Sequence, residues 1–249
     1  IARVKFATGT SISSSVSATW GSATTAGNLL VAYVGVSGGA STTISPASAD
    51  WQQACFARHS SGGACGIYYI ANAASRSGAE KFNVSPNGGM FVCIAEYSGI
   101  ATSSPLDKTK TANSTGNPPW PTGTTATTTQ ADELCIAGIC VSIANTSLTN
   151  SATNSFTVVT RTVSNSSLAA GFIERIVAAT GAYSSTMTGT NASLRYNNAI
   201  ATFKAASLDQ SVTLTGITSA GAFGTQVLSS TAGVSLTGIT SAEVFGTQT

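Results

Sequence analysis

The chain has 249 residues, of which 42% are hydrophobic and only 8% are charged, and its formal net charge is +2. Its Lys and Arg residues are spread along the sequence, so no basic patch indicates a nucleic-acid partner. No apolar run approaches the roughly 18 residues of a membrane helix, which argues against membrane insertion. Ser and Thr supply about 30% of the residues, and strands tolerate these side chains on their polar faces. The composition therefore predicts an all-β protein with a neutral surface.

Short segments rich in Val, Ile, Tyr and Phe recur along the first 206 residues and are separated by Gly, Pro, Asn and Ser. No stretch longer than about ten residues has a clean 3.6-residue period, so we expect little helix. Strands at this spacing predict a two-sheet antiparallel β-sandwich of jelly-roll type over residues 1–206. The predicted strands cover 3–7, 28–36, 66–71, 81–84, 90–97, 133–143, 156–163, 169–178, 184–188 and 199–204.

The chain contains five cysteines, and this odd number leaves at least one of them unpaired within the chain. Cys55 and Cys65 flank a Ser-Gly-Gly turn, so the sequence is compatible both with a disulfide across that hairpin and with two free thiols. Cys93, Cys135 and Cys140 lie in apolar strands, where we interpret them as small buried hydrophobic residues.

The longest connection between predicted strands covers residues 103–130 and is rich in Ser, Thr, Gly and Pro. Its length favours a binding or contact segment, within which residues 123–129 could add an edge strand. The alternative is that Trp120 folds back onto the core, because an exposed Trp is unfavourable. Trp51 follows a loop-to-strand junction and is the aromatic residue that we expect to be exposed. Trp51 and Trp120 are therefore the candidate ligand contacts, with a cell-surface glycan as the partner.

The sequence offers few groups for catalysis. His59 is the only histidine and stands next to a turn. The nine acidic residues are scattered, and Glu96, Asp107, Asp132 and Glu133 fall at strand ends, where capping is their ordinary role. No Cys or His cluster has the spacing of a zinc site. We therefore predict no enzymatic activity, no metal and no cofactor.

The last part of the chain, residues 207–249, contains a tandem repeat. Residues 212–217 (VTLTGI) recur as residues 234–239 (VSLTGI), and both copies continue into a Phe-Gly pair. Two repeats are too few to bury a core of their own. We therefore predict that residues 207–249 connect the sandwich to further copies or to other structural subunits. The apolar residues predicted to make these assembly contacts are Leu214, Ile217, Phe223, Leu236, Ile239 and Phe245.

Several of these motifs resemble a β-sandwich module of phage structural proteins and secreted bacterial proteins. Residues 25–31 (TAGNLLV) and residues 96–100 (EYSGI), followed by residues 105–107 (PLD), carry the resemblance. The tail segment 238–246 (GITSAEVFG) resembles the GIxSxEAFG repeats that end phage virion proteins, although the first copy has Gly221 where Glu is usual.

The resemblance implies a structural role and an extracellular or virion location. A capsid decoration, fibre or tail subunit is the function that it favours, joined to its neighbours through the C-terminal repeats. The alternative is a secreted bacterial adhesin or glycan-binding module.

Overall fold

The computed structural model describes residues 1–142, 148–164, 167–190 and 193–207. Every regular element within these ranges is a β-strand, and the strands pair in antiparallel sheets. The predicted all-β antiparallel sandwich class is confirmed. The residues predicted to make assembly contacts in the C-terminal repeats, from Leu214 to Phe245, lie outside the described residues.

Eight strands in residues 1–98 form two sheets. They are β1 Ala2–Ser11, β2 Ser15–Trp20, β3 Leu29–Val36, β4 Thr43–Pro46, β5 Gln52–Arg58, β6 Ala64–Ile70, β7 Gly78–Ser85 and β8 Met90–Ser98. The larger sheet has the order β1-β8-β3-β6-β5, and the smaller sheet has the order β2-β7-β4.

The next eight strands repeat this arrangement. They are β9 Leu106–Gly116, β10 Trp120–Pro121, β11 Asp132–Ser142, β12 Leu148–Ala152, β13 Thr157–Ser164, β14 Leu168–Ala178, β15 Thr186–Gly189 and β16 Leu194–Lys204. Their sheets have the orders β9-β16-β11-β14-β13 and β10-β15-β12, which match the first half strand for strand. Each half is therefore an eight-stranded sandwich with jelly-roll connectivity. The sequence predicted one two-sheet sandwich, and the structure contains two equivalent ones.

Three apolar layers hold the sheets together. The two five-stranded sheets face each other across the largest layer, which contains Leu29 and Val31 of β3 and Leu134 and Ile136 of β11. The opposite face of each large sheet is covered by the three-stranded sheet of its own half. Central strands such as β3 and β11 are thus buried on both faces, which explains their nearly continuous apolar sequences.

The two halves meet at a contact between a large residue of the first half, Tyr33, and a small residue of the second half, Gly138. In the pairing of β3 with β6, Tyr33 lies opposite Ile67, and in the equivalent pairing of β11 with β14, Gly138 lies opposite Phe172. The two ladders have the same register, so Tyr33 and Gly138 occupy equivalent positions. A Cβ on Gly138 would overlap the Tyr33 ring, which is fully buried. The Tyr33 ring therefore fills space that only a glycine leaves open.

The segment predicted as a long loop is largely structured. β9 is an eleven-residue edge strand within it, and Trp120 is fully buried, with its Nε1 donating to the Gly116 carbonyl at 3.0 Å. Residues 123–129 form no strand, although the backbone N–H of Thr125 donates to the carbonyl of Tyr183 at 2.9 Å. The prediction that Trp120 folds back onto the core is confirmed, and the prediction of an exposed ligand contact at Trp120 is wrong.

Candidate functional site

Trp51, the aromatic predicted to be exposed, is buried in a polar cluster around Glu80. The Glu80 carboxylate accepts hydrogen bonds from Trp51 Nε1 at 3.0 Å and from Trp20 Nε1 at 3.2 Å. Arg76 donates to the same carboxylate from Nε at 2.7 Å and from Nη2 at 3.0 Å, and its Nη1 contacts Asp50 at 2.7 Å. The prediction of an exposed Trp51 is wrong, because its indole N–H satisfies a buried acid.

The charge of Glu80 is stabilised by this cluster. Burial alone would raise the pKa of Glu80, but the hydrogen bonds from Arg76 and the two indole groups outweigh it and lower the pKa below its usual range. The ionised carboxylate therefore connects β7 to Arg76 and Trp51, which both lie in loops.

The predicted disulfide is absent, since Cys55 and Cys65 are both free, buried thiols. A register shift between Gln53 and Cys55 places Cys55 opposite Ile67, whereas Cys65 lies opposite Ala57. The two cysteines are thus in neighbouring strands but do not face each other. Burial raises the pKa of the Cys55 thiol to about 12, so it is not a nucleophile at neutral pH.

Cys93, Cys135 and Cys140 are free and buried, as the sequence predicted. Burial raises the pKa of Cys135 and of Cys140 to about 12. These thiols act as small apolar residues of the core.

His59 lies at the surface turn between β5 and β6. Its Nδ1 accepts a hydrogen bond from the Ser61 backbone N–H at 3.0 Å, and its Nε2 is 3.4 Å from Thr115 Oγ1. Neither partner is a carboxylate or a thiol, so the arrangement lacks the third group that orients a catalytic histidine. The residues that the structure describes also contain no group of three or more His, Cys, Asp or Glu residues able to hold a metal ion.

The EYSG and PLD motifs each contribute an acid that binds the chain just before a central strand. Glu96 does so before β3 in the first half, and Asp107 does so before the equivalent strand β11 in the second half. Glu96 accepts hydrogen bonds from the Thr25 backbone N–H at 2.8 Å and from Asn28 Nδ2 at 2.6 Å, just before β3. Asp107 accepts hydrogen bonds from the backbone N–H and the hydroxyl of Thr129 at 2.6 and 2.8 Å, before β11. Because each acid satisfies the chain entering a central strand, both motifs have a structural role.

Glu133 differs from these acids because it is fully buried and its two carboxylate oxygens have no hydrogen-bond partner among the described residues. Burial, together with the nearby Asp107 carboxylate, raises the pKa of Glu133 to about 7. Burial acts to raise the pKa of Asp107 too, but hydrogen bonds from Thr129 and Lys108 lower it to about 2. Two acids with separated pKa values can serve an enzyme as acid and base, but substrate cannot reach the buried Glu133.

The raised pKa of Glu133 predicts a pH-dependent stability. An acid whose pKa is higher in the folded than in the unfolded chain stabilises the fold fully below pH 4.5, and this contribution is lost as the pH rises to about 7. Over this interval we expect the free energy of unfolding to fall by up to about 3 kcal/mol. Glu133→Gln should abolish the decline, measured as melting temperature against pH.

The adjacent Asp132 provides the control for this prediction. Its side chain is exposed, so Asp132→Asn removes one carboxylate and should leave the decline between pH 4.5 and 7 in place. Parallel pH profiles for the wild type and Glu133→Gln would show that Glu133 is not the titrating group.

β1 forms an unpaired strand edge among the described residues. β1 pairs with β8 on one side and has no partner strand on the other among the described residues. Val4 and Phe6 on this strand are 46% and 43% exposed, and Ile12 just beyond it is 64% exposed. β1 has a bulge at Val4, and its pairing with β8 is regular from Lys5 to Ser11. This regular part of the edge can template a further strand.

Arg3 fixes the position of β1 against the other half. Its Nη1 lies 2.6 Å from Glu174 Oε1 on β14, and the Tyr97 hydroxyl donates to the second oxygen of the same carboxylate at 2.6 Å. The strand is therefore held in place from within the molecule, while its free edge stays open.

Comparison with protein-family models, with curated proteins and with solved structures gives no match. No helix that is long and apolar enough to cross a membrane occurs in the described part of the chain.

Proposed function

We propose that this chain is a non-enzymatic structural protein that assembles with further copies of itself through the free edge of β1. The observation that carries the proposal is that edge, with its exposed Val4 and Phe6. Backbone N–H and C=O groups along such an edge bind a strand of a partner, and alternate side chains give specificity. The paired jelly-roll halves provide the rigid body that a structural subunit needs.

The C-terminal repeats of a second copy are the occupant that we propose for this edge. All eleven Lys and Arg residues lie in residues 1–206, whereas residues 207–249 carry only Asp209 and Glu243 as charged side chains. β1 contributes Arg3 and Lys5, whose side chains pair with Glu174 and Glu96 within the same chain. The repeat segments 212–217 and 234–239 begin with Val and Leu at alternate positions, a pattern typical of a strand.

The described chain also ends close to this edge. The Ala206 backbone N–H donates to the Gly99 carbonyl at 3.0 Å, and a Cβ on Gly99 would lie 3.1 Å from the backbone nitrogen of Ile1. The last described residues of each copy therefore lie beside the start of its β1. We propose that adjacent copies exchange their repeats.

Free thiols favour a virion subunit over a secreted adhesin. All five cysteines are unpaired and buried, and disulfides are typical of chains that fold in oxidising compartments. A virion subunit folds in the reducing cytosol before the particle is released. The burial of Trp51 and Trp120 removes the two aromatic contacts on which the adhesin alternative was based.

A charge placed on the free edge tests the proposal. Phe6→Lys in the full chain should reduce the molar mass measured by light scattering from an oligomer to a monomer, because a lysine on an edge strand opposes pairing. Ile176→Lys is the matched control, since Ile176 is 52% exposed on β14, where it lies opposite Leu134 of β11 and not on the β1 edge. A monomeric wild type, or equal effects of the two changes, would contradict the proposal.

A further inference from the structure

The connection between β7 and β8 contains an asparagine that is followed by a glycine. β7 ends at Ser85 and β8 begins at Met90, so Asn87 and Gly88 lie outside both strands. Asn87 is exposed, and no other asparagine of the chain precedes a glycine. Asparagine is among the chemically labile residues of proteins, and an exposed connection leaves its side-chain amide open to reaction.

Packing against a neighbouring loop requires the glycine. A Cβ on Gly88 would lie 3.0 Å from the Gly38 backbone nitrogen, closer than side chains normally approach a backbone. The next residues of the two segments also touch, because a Cβ on Gly39 would lie 3.3 Å from Pro86 Cγ. Position 88 therefore has little room for the β-carbon that, in other residues, shields the backbone nitrogen from the preceding side chain.

Neither reacting group is held by a hydrogen bond. Among the described residues, the Asn87 amide has no hydrogen-bond partner and the Gly88 N–H has no acceptor. The chain is anchored only one residue later, where the Gly89 N–H donates to Ser37 Oγ at 2.9 Å. By contrast, the Asn113 side chain is tied by its Nδ2, which donates to the Arg58 carbonyl at 2.8 Å. The Asn87 side chain is thus free to turn towards the Gly88 nitrogen.

We propose that Asn87 is a site of spontaneous deamidation in the folded protein, with water as the co-reactant. The Gly88 nitrogen releases its proton to solvent and attacks Asn87 Cγ, the bond from Cγ to the amide nitrogen breaks, and ammonia leaves. Water then opens the cyclic imide at either carbonyl carbon, which gives aspartate or isoaspartate at this position. No atom is oxidised or reduced, and the new carboxylate lowers the formal net charge of +2 by one. This chemistry is independent of the proposed assembly.

Incubation of the full chain in heavy-oxygen water at mildly alkaline pH, followed by digestion in ordinary water and mass spectrometry, tests this site. Trypsin cleavage after Lys81 and Lys108 places Asn83 and Asn87 in one peptide. We expect a single heavy oxygen at Asn87, in a fraction that rises with time, and none at Asn83. Asn83 is the internal control, because it is also exposed but lies within β7 and precedes the branched Val84.

A variant and an unfolded sample complete the test. Asn87→Gln changes an exposed side chain outside the strands and lengthens it by one carbon, so it should abolish the label at this position. The same incubation in urea shows that the method detects labelled product, and unchanged tryptophan fluorescence shows that the wild type in buffer stays folded. Absence of label at Asn87 in the folded chain would overturn the proposal. Equal labelling of Asn83 and Asn87 would overturn it too, since the structure around Asn87 would then make no difference.

Discussion

Replacing Glu80 by alanine is expected to lower the free energy of unfolding by about 3–5 kcal/mol, because it leaves the partly buried Arg76 and two indole N–H groups without their acceptor. The carboxylate is buried and accepts four hydrogen bonds from Trp20, Trp51 and Arg76. Chemical denaturation of the full chain, followed by tryptophan fluorescence, measures the change. Since both indoles lie in the cluster, the signal reports on the site itself.

The same cluster supplies its own control and a pH test. Asp50→Asn acts at the exposed end of the network and should leave the unfolding midpoint nearly unchanged. The lowered pKa of Glu80 means that its contribution is present above the unfolded pKa and is lost as the pH falls through the folded pKa. The difference in stability between the wild type and Glu80→Gln should therefore shrink on acidification. Equal losses from Glu80→Ala and Asp50→Asn would contradict the assignment.

The second large effect is expected at the contact between the two halves. Gly138→Ala should destabilise the chain by about 3 kcal/mol or more, because the added Cβ overlaps the Tyr33 ring between two rigid sheets. Gly35→Ala, two residues beyond Tyr33 in β3 and also at the contact between the halves, is the matched control. Its Cβ would meet Cys140 Sγ at 3.3 Å, a contact that a small shift relieves, so its effect should be clearly smaller.

A double-mutant cycle separates steric overlap from a general requirement for glycine. Tyr33→Leu shortens the side chain that fills the space above Gly138, so adding it to Gly138→Ala should recover part of the lost stability. The midpoints of urea unfolding for the four chains give the coupling energy. Strictly additive losses would show that Tyr33 and Gly138 do not limit each other.

The sequence was sufficient for the fold class and for the buried central strands. β3 and β8 are apolar on both faces, and their runs were visible without knowledge of the partner strands. β9 was mistaken for a loop because a half-exposed edge strand rich in Thr, Ser and Asn has no apolar alternation. The small outer sheets depend on short strands such as β4, whose four residues carry too little pattern to detect.

The presence of two equivalent halves was not predicted from the sequence, because the halves share their strand order and packing but few residue identities. Leu29 and Leu134 agree at the equivalent entries of β3 and β11, but Tyr33 corresponds to Gly138, since the two residues complement each other across the interface. The two halves thus differ in sequence at the contact that joins them.

The site residues were harder to predict than the strands. Trp51 looked exposed because it follows Asp50 at a loop, and its acceptor Glu80 lies 29 positions away in another sheet. The disulfide expectation failed because the register shift after Gln53 could not be read from the spacing of two cysteines.

Assembly between copies is the central claim of this account, and cross-linking between isotope-labelled chains tests it most directly. Labelled and unlabelled full chains are mixed, treated with a zero-length carbodiimide and analysed by mass spectrometry. The Asp50 side chain is 61% exposed, so its coupling to an added amine is the internal positive control for carboxylate activation. We predict links from Lys5 to Asp209 or Glu243 that join a labelled to an unlabelled chain. Coupling at Asp50 with tail links confined to chains of a single isotope would contradict the claim.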